Sequence, residues 1–521
     1  MYNGLSPADK ATYERALYGY MHSFGAKLIV RYANPSLVYT NTGNQILGEN
    51  LTFESSAGGT GVFALGSANI DTVTINCVYS GDDAATGISG AKENATLFEL
   101  QCGYGFKQPN SDEDNTIYVP IGLYTLQSKS CVIGSNKYSL KLQSLMTKFD
   151  KSLPPVFDIA NEMADEISTY NQPGCTPLII LLWCCKHVYK RKVSTEEWNI
   201  PMQLSSVMDP DTTEGMEYLA SIPSMLTIAF NINQDTGYLT YRDIIKDVAT
   251  VCCCFATMDR EGNLALRPYT TAGDRYSLNV NSAEQGTFDI VTTYAEDVSQ
   301  FRIDEIRCRT SVDDGAGGKI EVDFDYPITE SDWLNNYDIS GLKILSALDN
   351  TYYAQEISRG IWDAIHYEDE DEDTGTKTPN YAPIPFNITT AAPDFRFDLG
   401  DWCHALSGFT DSQGNHLRCD AQLMSIKWTA RGTCTYKSFN TPSVNDRNAS
   451  KRQSEVDSIQ SSSVVTPPIP PEPPVILLDD TAQWKFNDDE ELIEEYEQTG
   501  TPGLTYHIGQ VGQWSFSYTE E

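Results

Sequence analysis

Short apolar runs separated by turn residues occupy residues 26–148 and constrain the fold more than any other feature. In one run, Val73, Ile75 and Cys77 alternate with polar residues. Successive side chains on a strand point to opposite faces, so this alternation is typical of a strand with one buried side. Gly, Asn and Asp, which favour turns, stand between the runs. The pattern predicts strands near residues 27–32, 71–79, 116–126 and 136–144.

A helix followed by a β-hairpin is the clearest local signal. Thr240 and Asp243 have the spacing of a capping box, with Asp in place of the usual Glu, and apolar residues within 244–252 recur on one helical face. The turn at Gly262 and the alternating residues 263–267 predict a hairpin that packs against this helix.

The rest of the chain combines further helices with a second β region. Helical spacing predicts helices at 9–22, 155–169, 176–190 and 350–365, and strand-like residues dominate 286–440. The fold class predicted is mainly β with α+β insertions, including small α/β domains. A length of 521 residues suggests three or four domains at about 150 residues each.

Shifts in composition predict five domains or linkers. They are an N-terminal helix with a first β-domain (1–152), an α+β insert with the helix–hairpin unit (153–285), a second β-domain with an inserted helix (286–441), a Ser/Pro-rich linker (442–474) and a small acidic C-terminal module (475–521). The linker contains a polyproline stretch, which predicts an extended spacer.

The net charge of −36 excludes several classes of protein. Such a chain repels nucleic acid and anionic membranes, so no sequence-specific nucleic-acid binding is expected. The most apolar segment, 177–185, is about half the length that spans a bilayer, and no signal peptide is expected at the N-terminus. Thirteen cysteines without regular spacing predict assembly in a reducing cytoplasm.

Cysteine and histidine residues form two candidate metal sites. Cys184, Cys185 and His187 fall within one helical turn and lack a second ligand pair, so we interpret them as buried structural residues. The run 252–254, three consecutive cysteines, is interpreted as small packed side chains.

The second candidate flanks a predicted hairpin and consists of Cys403, His404, His416 and Cys419. Adjacent strand residues point to opposite faces, so Cys403 and His404 cannot easily share a zinc ion, and zinc is the less favoured interpretation. We predict no metal and no cofactor.

Catalytic motifs are absent from the sequence: it has no Gly-x-Ser-x-Gly elbow, no His-Glu-x-x-His and no glycine-rich phosphate loop. The sequence leaves open a pair of carboxylates that could hydrolyse glycosides, because it contains 72 Asp and Glu residues. The acidic runs 368–373 and 488–495 lack the pattern of a calcium loop and are interpreted as solvated. We predict a protein that is not an enzyme.

Three patterned segments follow one another along the chain. The first is YVPIGLYTL at 118–126, continued by MTKFDK at 146–151. The second runs from TYRDII to REGNL within 240–264. The third is FDLGDW at 397–402, continued by LMSIKWTARG at 423–432. In this order they resemble the phage tail-hub family, which comprises baseplate-hub cylinder proteins and the N-terminal hub of tail-associated tail-tip proteins.

Five residues of these segments are predicted to set the fold: Gly122, Asp243, Gly262, Gly400 and Asp401. Gly122 and Gly400 stand where a strand enters or leaves a turn, so a positive φ is expected at both. Asp243 caps the helix, Gly262 closes the hairpin, and Asp401 completes the Leu-Gly-Asp turn. None of these roles is catalytic.

The resemblance implies two hub-type β-barrels side by side and a homotrimer that forms a pseudo-sixfold ring. It further implies a structural protein of the virion tail tip, assembled in the host cytoplasm. Its partners would be a distal tail or tail-tube ring, the tape measure protein, and a fibre or receptor-binding tip protein. Genome and tape measure would pass through the ring. A tail-associated cell-wall hydrolase and a carbohydrate-binding adhesin are the alternatives.

Two further expectations concern partners. Trp484, Phe486, Trp514 and Phe516 in the C-terminal module are candidate anchors for docking a neighbouring tip protein. The bore of a ring should be acidic or neutral so that DNA is not retained, and basic residues should face protein partners instead. Those basic residues are Lys186, Lys190, Arg191 and Lys192.

Overall fold

The computed structural model describes residues 2–18, 23–31, 37–40, 46, 51–57, 65–78, 96–106, 115–131, 137–191, 200–269, 275–277, 291–296, 305–313, 319–327, 336–365, 368–370, 377–379, 386–410, 416–430, 432–438, 504–508 and 514–518. The chain divides into two compact units, Met1–Arg452 and Gln453–Glu521.

The first part of the larger unit contains one helix and seven strands among the residues described. Helix α1 (Pro7–Leu17) begins after Ser6, whose side chain accepts a hydrogen bond from the Asp9 N–H. The strands are β1 (Ser23–Arg31), β2 (Leu37–Thr40), β3 (Thr52–Ser56), β4 (Thr72–Val78), β5 (Leu97–Gly105), β6 (Ile117–Cys131) and β7 (Lys137–Ser144). In β4, Val73, Ile75 and Cys77 are buried, which confirms the alternation read from the sequence.

The middle part contains most of the helices. They are α2 (Ile159–Glu162), α3 (Ala164–Thr169), α4 (Pro177–His187), α5 (Thr213–Ser221) and α6 (Tyr241–Val251), with strands β8 (Tyr189–Arg191), β9 (Ile200–Pro201), β10 (Cys254–Met258) and β11 (Leu264–Pro268). β10 and β11 form the antiparallel hairpin predicted after α6. The aromatic core of this part places Trp183 of α4 between Phe157 and Tyr241, at 5.4 and 5.1 Å between ring centroids.

The third part returns to strands. They are β12 (Arg275–Ser277), β13 (Val291–Glu296), β14 (Glu305–Arg307), β15 (Arg309–Asp313), β16 (Lys319–Asp323), β17 (Asn336–Asp338), β18 (Glu368–Glu370), β19 (Lys377–Pro379), β20 (Phe386–Thr390), β21 (Trp402–Thr410), β22 (His416–Gln422), β23 (Ser425–Thr429) and β24 (Cys434–Lys437). Helix α7 (Tyr353–Ile365) interrupts them. The smaller unit contains the hairpin β25 (Leu504–Ile508) and β26 (Trp514–Tyr518).

One antiparallel sheet of eleven strands joins the first and third parts, in the order β13-β20-β24-β23-β3-β4-β7-β6-β5-β1-β2. The junction is the pairing of β23 with β3, in which Trp428 lies opposite Phe53 and the two rings stack at 5.2 Å. Among the described strands, β2 and β13 each have a single neighbour and form the two edges of the sheet.

The mainly β fold class is confirmed by this sheet, whereas no sheet of the described residues closes into a barrel. The single helix expected at 155–169 is wrong: Met163, with φ −116° and ψ 22°, separates α2 from α3. The side chain of Asp158 starts α2 by accepting from the Asn161 N–H at 3.1 Å. No helix in the described part of the chain combines the length and apolar character needed to cross a membrane.

Candidate functional site

The segment 393–401, which we call the junction segment, contacts both β parts and the insert. Its backbone carbonyls accept hydrogen bonds from the Tyr104 hydroxyl at Pro393 (3.0 Å) and from the Tyr2 N–H at Arg396 (2.8 Å). At its end, Gly400 N–H donates to Leu423 O at 2.8 Å, and Leu423 N–H donates to the Asp401 carbonyl at 2.9 Å. The segment is therefore held from several sides.

A buried cluster of charged side chains fixes the start of the junction segment. The Arg396 and Asp394 side chains, each 3% exposed, form an ion pair with Nη2 and Oδ2 2.7 Å apart. Arg396 Nη1 lies 2.6 Å from Glu14 Oε1 on α1, and the guanidinium carbon lies 5.0 Å from the centre of the Tyr13 ring. Burial, and then Asp394, raise the pKa of the Tyr13 hydroxyl well above its ordinary value. The neutral phenol then accepts a hydrogen bond from the Phe395 N–H at 3.0 Å.

Arg260, in the turn of the β10–β11 hairpin, connects all three parts. Its Nε donates to the two oxygens of Asp398 at 3.0 and 3.1 Å. Nη1 donates to Pro120 O in β6 at 2.5 Å, and Nη2 donates to Arg396 O at 2.9 Å. Because an arginine presents its donors in a rigid plane, these bonds fix the hairpin, β6 and the junction segment relative to one another.

A buried carboxyl lies near this cluster. Asp71, just before β4, accepts a hydrogen bond from the Ser55 hydroxyl, and its N–H donates to Ser144 Oγ at 3.1 Å. The pKa of Asp71 is raised to about 7, mainly by burial and also by Asp398, while the Ser55 hydrogen bond opposes the rise. Burial and then Asp398 also raise the pKa of Asp401, which accepts from the Asp398 N–H at 2.8 Å.

The positive φ that a turn requires occurs at two of the three fold-setting glycines. Gly262 and Gly400 have φ of +72° and +86°. A Cβ atom at Gly262 would lie 2.8 Å from Leu145 Cδ1, and one at Gly400 would lie 3.0 Å from Phe255 Cζ. The prediction for Gly122 is wrong, because its φ lies outside the left-handed range. A shift in the β5–β6 register beside it explains this: the strand bulges there instead of turning.

The capping box at the start of α6 is complete. Thr240 Oγ1 accepts from the Asp243 N–H at 3.2 Å, and the Asp243 carboxylate accepts from the Thr240 N–H at 3.2 Å. Aspartate therefore performs the role that glutamate usually has in this motif.

In the first candidate metal site, the cysteines and the histidine make different contacts. Cys184 and Cys185 are buried in α4 and burial raises the pKa of both thiols, whereas His187 Nε2 lies 3.2 Å from Glu162 Oε2. The three cysteines 252–254 are fully buried, as small packed side chains should be.

The second candidate group is spread along the β21–β22 pair. Cys403 lies opposite Ala421, His404 opposite Asp420, and Cys419 opposite Ala405, while His416 lies opposite Thr410. In the part of the chain that the structure describes, no three His, Cys, Asp or Glu residues are grouped so that they could hold a metal ion.

The orientation expected for the basic residues is wrong for Lys190. Its side chain is buried, and Nζ donates to Asn263 Oδ1 at 2.5 Å and to Glu261 O at 3.2 Å. Lys186 Nζ lies 3.1 Å from Glu166 Oε1. Lys192 lies outside the described residues. The Lys190 ammonium is thus hydrogen-bonded to the hairpin turn.

Of the four candidate docking anchors, the structure describes two. Trp484 and Phe486 lie outside the described residues, and Trp514 and Phe516 belong to β26, opposite Ile508 and Tyr506.

Sequence reasoning missed the structural role of Arg260 and the Arg396–Asp394 pair. The one available signal was the set of three charged residues, Asp394, Arg396 and Asp398, that alternate with apolar residues at 392–399, where unpaired charges would be costly to bury.

No protein-family model and no curated protein matches the sequence. Among solved structures, a tail protein from Neisseria meningitidis MC58 is 10% identical, with 80% of this chain and 96% of that chain covered and a TM-score of 0.37. The 43 kDa tail protein of prophage MuSo2 from Shewanella oneidensis is also 10% identical, with coverages of 80% and 98% and a TM-score of 0.40.

Prophage tail protein gp18 from Listeria monocytogenes EGD-e is 10% identical, with coverages of 84% and 99% and a TM-score of 0.34. All three neighbours are tail proteins, and two of them come from prophages.

Proposed function

We propose that this chain is a structural, non-catalytic hub protein at the tip of a phage or phage-like tail. The observation that carries the proposal is the convergence, around Arg260, of the three segments that resemble the hub family. Arg260 belongs to the second segment, bonds Pro120 of the first and pairs with Asp398 of the third. Two glycines add contacts between the segments. Gly262 of the second segment lies against Leu123 of the first, and Gly400 of the third lies against Phe255 of the second. The shared pattern thus describes one packed junction.

We propose that the eleven-stranded sheet forms the contacts of a ring. Three copies, each contributing both β parts as barrel-like halves, would form the pseudo-sixfold ring that joins the tail tube to the tip. The edges β2 and β13 support this arrangement, since each has one neighbour among the described strands and could pair with another copy. A contact between two different edges is heterologous, and heterologous contacts can close into rings.

Mass photometry of the purified chain, alone and within isolated tail tips, tests the ring. Three copies per particle are expected in at least one setting. A stable dimer or tetramer in both would contradict the proposal. Peptidoglycan hydrolysis by the same purified particles would contradict the non-catalytic role.

The C-terminal module would serve as a docking element for a fibre or receptor-binding protein, through Trp484, Phe486, Trp514 and Phe516. Deletion of 466–521 should leave the ring intact and abolish attachment of the outer component. Failure of the truncated chain to form a ring would instead make the tail part of the core fold.

The bore of the ring would admit DNA and the tape measure protein. With a net charge of −36 per chain, we propose a lumen of Asp, Glu and neutral polar residues that does not retain DNA. A high-resolution map of the tip tests this, and a bore dominated by Lys and Arg would contradict it.

A further inference from the structure

A lysine and an asparagine meet in the interior of the insert. Lys190 is the middle residue of β8, and Asn263 comes just before β11. Lys190 Nζ lies 2.5 Å from Asn263 Oδ1, and the two residues are 8% and 6% exposed. Among the residues that the structure describes, Lys190 is the one buried lysine. Buried lysines are usually paired with a carboxylate, so an amine that faces a side-chain amide is an unusual arrangement.

The surroundings of Lys190 favour the loss of its proton. The two hydrogen-bond acceptors of Nζ are uncharged oxygens, Asn263 Oδ1 and Glu261 O, the latter at 3.2 Å. Burial lowers the pKa of Lys190, although Asp259, Glu261 and Cys185 act in the opposite direction. A lysine that is removed from water releases its proton more easily, and only the neutral amine is a nucleophile.

Asp259 contacts the other end of the same side-chain amide. Its Oδ2 accepts a hydrogen bond from Asn263 Nδ2 at 3.1 Å. Its Oδ1 accepts from the N–H groups of Asn263 and Glu261 at 2.8 and 2.9 Å, which fixes the carboxylate in the turn. An amine, an amide and a carboxylate therefore follow one another in space. Groups held in contact by the fold react far faster than the same groups free in solution.

We propose that Lys190 and Asn263 form an isopeptide bond within the folded chain, with Asp259 as the acid–base group. The neutral Nζ attacks Cγ of Asn263, and a bond between nitrogen and carbon forms. Nζ gives up a proton, which Asp259 transfers to Nδ2. The bond between Cγ and Nδ2 then breaks, and Nδ2 leaves as ammonia. One amide replaces another, so the reaction needs no oxidant, reductant or other co-reactant.

The bond would tie β8 to the turn of the β10–β11 hairpin. That turn carries Arg260, whose hydrogen bonds reach β6 and the junction segment. A covalent link between residues 190 and 263 also restricts the unfolded chain, as a disulfide does. The inference concerns the insert alone and does not depend on a ring, so it is tested on the purified full-length chain.

Intact mass spectrometry of the denatured wild type is the first measurement. The mass should be lower than that of the sequence by about 17 Da, the mass of ammonia. Trypsin does not cleave after a lysine whose Nζ is acylated. Digestion should therefore yield a branched peptide that joins residues 187–191 to residues 261–275.

Two variants and a control identify the groups involved. Lys190→Arg keeps a cation and its hydrogen-bond donors but has no amine to acylate. Asp259→Asn keeps an oxygen acceptor for the turn but cannot carry the proton. Both should have the full mass of their sequences and a lower thermal midpoint than the wild type. Asp165→Asn makes the same exchange on the exposed side of α3 and should retain the mass deficit.

The wild type alone can overturn the inference. A folded wild-type chain with the full mass of its sequence would show that the contact is a hydrogen bond and nothing more. A deficit of about 17 Da without the branched peptide would also refute it, because an asparagine that cyclises onto its own backbone loses ammonia as well. A branched peptide in Asp259→Asn would refute the role of Asp259. Circular dichroism verifies that each chain is folded before it is denatured.

Discussion

Replacing Asp71 by asparagine should stabilise the protein at alkaline pH and have little effect at acid pH. The carboxyl is buried among β3, β4 and β7, with the Ser55 hydroxyl and Asp398 as its polar neighbours. Burial raises its pKa from the ordinary value of 3.8 to about 7. The folded state therefore holds the proton more tightly than the unfolded chain does.

The sign and magnitude of this pH effect on stability follow from proton linkage. Below pH 4 the carboxyl is protonated in both states, so it contributes no pH dependence. As the pH rises towards 7, the unfolded chain releases this proton first, and the folded state loses stability relative to it. At 1.36 kcal/mol per pH unit, the difference between 3.8 and about 7 costs about 4 kcal/mol, in full above pH 7. An asparagine side chain at this position can still accept from Ser55 and has no charge to bury.

Urea unfolding followed by circular dichroism at pH 5, 6, 7 and 8 measures this effect. The stability of Asp71→Asn minus that of the wild type should grow with pH and level off above pH 7. Asp165→Asn, on the exposed side of α3, controls for the loss of one negative charge. A difference that stays constant from pH 5 to pH 8 would refute the reasoning, since it would mean that Asp71 titrates alike in both states.

Three further substitutions test the junction and the helix–hairpin unit by thermal and urea unfolding. Asp243→Ala removes half of the capping box and should cost about 1 kcal/mol; an unchanged midpoint would mean that the box adds nothing. Gly262→Val should cost more than about 1 kcal/mol, because φ is positive and the turn packs on β6, whereas Gly341→Ala, with open space at its Cβ, should cost less. Arg396→Met leaves its buried aspartate partner unpaired and should cost about 3–5 kcal/mol, against about 0.5 kcal/mol or less for the exposed pair of Arg359. Equal losses at the two arginines would contradict the cluster.

Local sequence signals predicted the local elements well. Strand alternation located β4 and β7 to within a residue or two, and the capping box and turn at 240–262 located α6 and the hairpin. Each of these elements depends on residues that are near in sequence. The bulge at Gly122 was misread because a glycine at a turn and a glycine at a bulge have the same local signature.

The junction could not be predicted in this way. Arg396 pairs with Glu14, and Arg260 bonds Pro120, across more than a hundred residues in each case. Opposite charges are common in a chain with 72 acidic and 36 basic residues, so the sequence gives no means of matching one arginine to one carboxylate. Only burial, which follows from the tertiary fold, selects the pairs.

The β3–β23 pairing has a consequence for any ring that this chain forms. Phe53 and Trp428 stack across it, so the first and third parts share one ladder of hydrogen bonds and one aromatic contact. Arg260 adds a second link between the same parts, through a hairpin that belongs to neither. Two halves joined at a sheet and at an arginine cannot tilt freely against each other. A ring of three copies would therefore consist of three stiff pieces, and any flexibility between its halves would have to lie at the contacts between copies.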